Sequence, residues 1–403
     1  MHLSWNQLSR GGLAVLLGFI LTGCVTGKVD SARHAFYGGR LFEAEQSLID
    51  LPEGEKDSVM YLMERGTIRQ SMGKYSDSIS DLRKAADRND YLVTHSASKA
   101  TASMVVNDKT LDFRGLPFER TMVHAFLAKN YLALGRWDDA GVEARNIIKD
   151  LEKLDGFPDA AYCRYIAGLC LELMRDPSNA ALQYRYASSL LTNSALVVND
   201  RTGFISPAGK AVEEKRPSDQ AELVCFVLIG RSPTGASSVN SVFVPPGVPY
   251  AEIRVAGKVL GRSYPLSCCA QLIQDTKKKT AALQAAKDIS RIAVKETISY
   301  QIKRKNEALG TLAELILFAL ESPDDRRWET LPMWFQVARV PCPADLSSYE
   351  VVIRNPAGIV LNTMTVQAPL VRHNRTYVSF CRDLPPPPKE IPAAVPRNPS
   401  AAK

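Results

Sequence analysis

Histidine is scarce in this chain, with five in 403 residues. Four of them, His34, His95, His124 and His373, lie beyond the first 24 residues. None forms HExxH or another paired metal-ligand spacing, so a zinc hydrolase site has no support. No CxxC occurs among the eight cysteines, which removes zinc-ribbon and thioredoxin-type chemistry. No GxSxG is present, because Gly230-Arg231-Ser232-Pro233-Thr234 lacks the final glycine. No GxGxxG follows an expected strand. The stretch Gly203–Lys210 only superficially suggests a phosphate loop. Five residues rather than four separate its glycines, and Ala211 stands where Ser or Thr should hold the metal. The chain therefore offers no catalytic set, no metal site and no cofactor motif. Long apolar runs are missing too. Leu13–Leu21 (LAVLLGFIL) and Thr311–Leu320 (TLAELILFAL) are both too short to span a bilayer as permanent helices. The acidic run Glu321-Ser322-Pro323-Asp324-Asp325 reads as a charged loop entering a strand rather than as an acid–base pair.

What is present begins with an export signal. Arg10 gives a positive start, Leu13–Leu21 an apolar middle, and Leu21-Thr22-Gly23-Cys24 a small-residue end. That end resembles the lipobox of bacterial lipoproteins. The resemblance implies cleavage before Cys24, lipidation of its thiol and new amino group, and membrane anchoring by acyl chains. Val25 is not Asp, so the inner-membrane retention signal of enteric bacteria is absent, which favours the outer membrane facing the periplasm. Residues 25–195 carry 22 Lys+Arg against 24 Asp+Glu, and residues 196–403 carry 27 against 19. The basic excess therefore lies in the C-terminal half, as solvated surface or for anionic envelope partners. Nucleic acid is not an expected partner outside the cytoplasm. Seven cysteines remain after Cys24, an odd number. Cys163 and Cys170 are about 10 Å apart along a helix and do not bridge. Cys268 and Cys269 are adjacent, where a disulfide would be strained, and Cys225 and Cys381 both sit in expected strands and could pair with each other.

The stretch Phe113–Lys149 carries the clearest architecture. Ala128, Tyr131 and Leu132 share a helical face with His124. Gly135 is placed to take the left-handed conformation that ends a helix, and Trp137, Ala140 and Ala144 restart the period. The same pattern surrounds Gly39 (Leu41, Ala44, Leu48) and Gly73 (Tyr75, Ser78, Leu82), 34 residues apart. That is the tetratricopeptide period. Arg65 and Arg69 occupy places that are usually apolar. A polar insertion, residues 91–116, separates the second hairpin from the third. A fourth hairpin runs from Pro158 to Thr192 and turns at Asp176-Pro177. Such hairpins need neighbours to stack on, which points to an interaction scaffold.

Beyond the repeats the pattern changes. Residues 196–220 read as a charged linker. Strands are expected at Glu222–Ile229, Ser241–Val244, Ala251–Val255, Trp334–Val340, Ser348–Ile353, Val360–Val366 and Thr376–Cys381. A helix is expected from Gln271 to Asn306 and a short apolar one at Thr311–Leu320. The expected fold is thus an α superhelix of tetratricopeptide-like hairpins over residues 25–195. An α+β domain over 221–383 follows, a small sheet or sandwich with a long helix against it. Residues 1–24 are the signal peptide and residues 384–403 a Pro-rich, PPII-like tail.

Two motifs carry a family resemblance. Asp324, Arg326, Trp328, Leu331 and Pro332 form Asp-x-Arg-x-Trp-x-x-Leu-Pro before a strand. Pro117, Phe118, Glu119, His124, Tyr131, Gly135, Ala140, Val142, Glu143 and Arg145 form the second, and Gly230–Pro233 fits as a Gly-x-x-Pro turn. Together they resemble a poorly characterised family of bacterial envelope lipoproteins, across roughly residues 110–355. The resemblance implies a shared fold and carries no particular activity over. Of its charged residues, Glu119, Glu143 and Arg145 are expected to pair within the array, and His124 to pack. The expected function is a lipid-anchored envelope scaffold holding a partner protein or peptide through its repeats. The alternative is an envelope enzyme or polysaccharide-binding protein acting through the C-terminal domain. A deep cleft lined by Asp324, Arg326, Trp328 and Arg231 is the sign of that alternative.

Overall fold

The computed structural model of the chain describes residues 27–50, 55–97, 112–191, 194–210, 220–234, 246–283 and 326–386. Cys24, most of the expected insertion, the strand at 241–244, the apolar stretch 311–320, Asp324 and most of the Pro-rich tail lie outside them. The helices are α1 (residues 27–37), α2 (Leu41–Ile49), α3 (Ser58–Ser71), α4 (Tyr75–Ala97), α5 (Pro117–Ala133), α6 (Trp137–Leu151), α7 (Ala161–Leu173), α8 (Pro177–Ser189) and α9 (residues 269–283). The first eight pair as four consecutive hairpins.

One turn closes all four hairpins. The N–H of Arg40, Lys74, Arg136 and Asp176 donates to the carbonyl five residues back, at 2.8–2.9 Å. The residue before each donates to the carbonyl three back, at 3.0–3.1 Å. This is the Schellman arrangement, and it needs a left-handed residue at its centre. Gly39, Gly73 and Gly135 supply it with φ of +74°, +76° and +67°, and Arg175 supplies it in the fourth hairpin with φ +62°. Arg65 and Arg69 occupy their unusual places because acids meet them. Arg65 pairs with Asp81 at 2.8 Å, and Arg69 bridges Asp81 and Glu45 at 2.8 and 3.0 Å. These ion pairs lock α2, α3 and α4 together.

Two segments depart from expectation. Helix α4 runs on to Ala97, past residue 91, the expected start of the insertion, so the insertion is partly a helix extension. Its far end is also anchored, since Phe113 is buried and its N–H bonds Lys56 O at 2.7 Å. The charged linker contains a small antiparallel hairpin, β1 (Leu196–Val198) with β2 (Ile205–Pro207). Leu196, Val198 and Ile205 join the helical core. The alternation Leu-x-Val and Ile-x-Pro outweighs the charges between them.

Two sheets complete the fold. Strands β3 (Ala221–Ile229), β6 (Tyr264–Cys268), β7 (Trp334–Cys342), β10 (Val371–His373) and β11 (Thr376–Arg382) form one sheet in the order β10-β11-β3-β7-β6. Strands β4 (Tyr250–Val255), β5 (Lys258–Arg262), β8 (Ser348–Arg354) and β9 (Val360–Gln367) form the other, ordered β5-β4-β8-β9. All pairings are antiparallel except β11 with β3. Every residue of β3 is buried, and its two faces go to different cores. Val224, Phe226 and Leu228 join the helices, while Leu223, Cys225 and Val227 face the second sheet. A strand buried on both faces reads as the unbroken apolar run ELVCFVLI. The molecule is therefore a three-layer α+β arrangement of helices, five-stranded sheet and four-stranded sheet. Cys225 and Cys381 face the inter-sheet core as thiols, Sγ to Sγ 3.8 Å.

Candidate functional site

Helix α5 carries the site because it works on two sides. Pro117 opens it, and Glu119 reaches back to the Leu116 N–H at 2.7 Å. Glu119, Met122, Phe126 and Lys129 lie on one face. His124, Leu127 and Tyr131 lie on another, roughly 150° away at 3.6 residues per turn.

The first face is sealed by the chain itself. The stretch Arg326–Leu331 enters between the helices and β7, and backbone and side chains both anchor it. Trp328 is fully buried and lies 5.0 Å from the Phe126 ring. Its indole N–H is within 2.9 Å of Thr67 Oγ1 and 3.1 Å of Thr330 Oγ1, and its backbone N–H donates to Glu119 Oε1 at 3.0 Å. Glu64 of α3, also fully buried, accepts from Arg33 and from the N–H groups of Glu329 and Thr330 at 2.8–3.0 Å. Arg33 reaches on to Arg327 O at 2.7 Å. The Tyr37 hydroxyl lies 2.6 Å from Glu329 O and 2.9 Å from Leu331 O, so one proton serves two carbonyls. Arg326 pairs with Asp57 at 2.5 Å. Arg326 and the fully buried Trp328 are thus both engaged in holding this stretch against the helices. Further along, Arg339 of β7 holds Glu222 at 2.8 Å and Glu172 of α7 at 2.6 Å. Tyr162 packs on Phe226 and Phe335.

Burial dominates the titration of Glu119. It raises the carboxyl to about 7, and the hydrogen bonds from Leu116 and Trp328 and the charge of Arg327 oppose it only in part. Lys129 is fully enclosed, 4.2 Å from the centre of the Phe126 ring, with Gln70 Oε1 at 2.7 Å. Burial pushes its ammonium well below the usual lysine range.

The second face is open. A groove runs along α5 between α4 and α6 in two adjoining lobes of about 230 and 360 Å³. His124 sits at the junction and lines both. Its Nδ1 donates to Glu143 Oε2 at 2.7 Å, and its Nε2 lies 3.8 Å from Asp150. Burial alone would lower the titration of His124. The Glu143 bond and the charges of Glu143, Asp150 and Asp90 outweigh that and raise it above the ordinary value. The Tyr131 ring carries the Arg136 guanidinium at 4.8 Å. Six acids line the two lobes, Asp87, Asp90, Asp139, Glu143, Asp150 and Asp155, against Arg83, Arg120, Lys149 and Lys153. Val93 and Val142 add exposed apolar surface.

The sequence motifs thus divide. Glu119, Arg326 and Trp328 meet at the seam, and His124, Tyr131 and Glu143 meet in the groove. Arg145 is exposed on α6. Arg33, Tyr37 and Glu64, which do most of the anchoring, lie in hairpins whose sequence pattern marks only packing, and no local signal distinguishes them. Among the described residues no cluster of three or more His, Cys, Asp or Glu is placed to hold a metal ion, and no helix is long and apolar enough to cross a membrane. No known family model matches this chain, and no curated protein is similar to it.

Proposed function

We propose that this chain is a lipid-anchored scaffold of the bacterial cell envelope, built on tetratricopeptide-like hairpins, which holds a partner protein or peptide in the groove along α5. The observation that carries this reading is the contrast between the two faces of that helix. The face toward the sheet is filled by Arg326–Leu331 and by β3, β7 and β11. The groove between α4 and α6 is open, and both charged and apolar groups line it. Its acids outnumber its bases, so the partner segment that suits it carries Lys or Arg beside apolar side chains. Anchoring rests on the lipobox-like Cys24, and the outer membrane on Val25. The resemblance to envelope lipoproteins supports the same compartment.

The test is a pull-down from envelopes with the lipidated chain and with Val93→Arg and Val142→Arg. Both valines are more than 40% exposed, so the changes leave the core alone and put bulk and positive charge into the groove. A partner recovered with the parent chain and with an exposed control, Phe42→Ser, but at least tenfold less with the groove variants, supports the proposal. Equal recovery with all four sinks it. Cys24→Ser should release the chain from the membrane fraction, and a variant that stays fully bound removes the lipoprotein reading.

A further inference from the structure

Arg327 differs from the other buried arginines of the seam. Arg33 has Glu64, Arg339 has Glu172 and Glu222, and Arg382 has the carbonyls of Leu228 and Gly230. Arg327 is 3% exposed, and its Nε, Nη1 and Nη2 make no hydrogen bond. A guanidinium stays protonated in proteins and presents five donors in a fixed fork. Enclosing one without an acceptor is strongly unfavourable. The acids nearby are already engaged. Both oxygens of Glu119 accept backbone N–H groups, from Leu116 and Trp328. Those of Glu64 accept Arg33, Glu329 and Thr330. The charge of Arg327 is nevertheless felt by Glu119, Glu329 and Cys269.

Other donors meet the same stretch, since the Ser232 N–H bonds Leu331 O at 2.9 Å and Arg382 Nη2 lies 3.5 Å from Thr330 O. The Ser232 hydroxyl, itself 3% exposed, touches the Cys269 thiol at 3.3 Å. The Nε of Arg382 is also buried without a partner. The turn Gly230–Pro233 brings solvent close, because Arg231, next to Ser232, is exposed and lies 4.7 Å over the Tyr37 ring.

We propose that Arg327 is the anion-binding arm of a small-ligand site at the seam between helices and sheet. The ligand carries a carboxylate or a phosphate group, which two parallel N–H···O bonds from the guanidinium grip, with the Ser232 hydroxyl as a further donor. This inference is independent of the groove along α5 and goes beyond the scaffold reading.

The experiment is a thermal titration of the full chain in detergent with inorganic phosphate, glycerol phosphate and acetate, at constant ionic strength in chloride. Binding to the folded state alone raises the midpoint saturably, by on the order of 5 °C at a hundredfold excess over Kd. Acetate as the effective ion identifies a carboxylate ligand, and inorganic phosphate a free phosphate. Glycerol phosphate acting alone identifies a phosphate ester such as a lipid headgroup. In Arg327→Met the anion response should vanish, and the midpoint without anion should equal or exceed that of the parent. A parent chain that responds to none of the three, or an Arg327→Met variant that responds like the parent, overturns the site. If that variant does not fold, the NMR resonance of a buried arginine Nε–H in the parent chain decides. A saturable shift with anion supports the proposal, and no shift overturns it.

Discussion

At the scale of single residues, Trp328 and Glu119 decide how the seam behaves. Trp328 contributes both volume and a donor. Trp328→Phe keeps most of the ring but leaves Thr67 and Thr330 without the indole N–H, and should cost about 1–2 kcal/mol. Trp328→Ala also opens a cavity and should cost about 3–5 kcal/mol. Urea unfolding of both variants measures the difference; a costless Trp328→Phe would mean that the hydrogen bonds contribute nothing, and equal costs that the ring's packing adds nothing beyond them. Glu119 makes stability depend on pH. Its carboxyl titrates near 7 when folded, above its ordinary 4.5. The folded state therefore holds the proton more tightly, and its contribution is complete below about 4.5 and lost as pH rises through about 7. Glu119→Gln removes that dependence. Between pH 4.5 and 7.5 the parent should lose on the order of 3 kcal/mol relative to the variant. Parallel stability curves would show that Glu119 ionises normally. His124, raised above its ordinary value, also titrates in both proteins, so only the difference between the two curves reports on Glu119.

At the scale of elements, small residues set how closely the helices approach, and two glycines do different jobs. Gly168 on α7 faces the Tyr184 ring, where an added Cβ would come within 2.8 Å of Cε1 and 3.3 Å of Ala180 O. At Gly135 an added Cβ would only touch the Trp137 ring at an ordinary 3.9 Å, but φ is +67°. Gly168→Ala should cost about 1–3 kcal/mol through overpacking of α7 on α8, and Gly135→Ala about 1 kcal/mol through backbone strain. Enlarging the space separates the mechanisms, since Tyr184→Phe combined with Gly168→Ala should recover little, whereas Tyr184→Leu should recover part of the loss. If neither companion change matters, contact with Tyr184 is not the cause. The same elements show what the sequence makes legible. Gly39, Gly73 and Gly135 announce the hairpins because a left-handed turn demands glycine and the helical period surrounds each one. Arg175 breaks that rule, and the fourth turn is legible only through Asp176-Pro177. The β1–β2 hairpin hides inside a charged stretch because three-residue strands leave too short a period to detect. The double burial of β3 shows in its composition. Its parallel partner does not, because β11 follows about 150 residues later and no local signal encodes a pairing at that range. In the groove, His124, Tyr131 and Glu143 stand out as polar or aromatic residues inside a packing period. Arg327 does not stand out, since only its surroundings make its missing partner visible.

At the scale of the whole molecule, the question is whether the helical array and the sheets are separable. The sequence suggests two domains and a linker, but the physical boundary is a shared core. Phe226, Phe335 and Val378 of the first sheet pack in the same cluster as Phe126, Tyr162 and Tyr165 of the helices. Polar ties cross the same seam at several points, including Arg339 with Glu172 and Trp137 against the His373 ring at 4.7 Å. An interface of this kind resembles a domain interior more than a mobile junction, where contacts are fewer and more polar. The chain should therefore unfold in a single transition. Far-UV circular dichroism, which follows the helices, should coincide with tryptophan fluorescence, which follows Trp328 in the seam, Trp334 at the start of β7 and Trp137 of α6 against the His373 ring. Residues 25–210 expressed alone would expose the apolar faces of α3, α5 and α7, and should aggregate or remain partly folded. Two separated transitions, or a monomeric and cooperatively folded 25–210 fragment, would show that the array carries its own stability. In that case the sheet would be a detachable cover, and the face now filled by Trp328 would be open to partners when the sheet moves away. On the scaffold reading, a single transition would leave a protein partner only the outer groove, because freeing the inner face would then require unfolding the whole molecule.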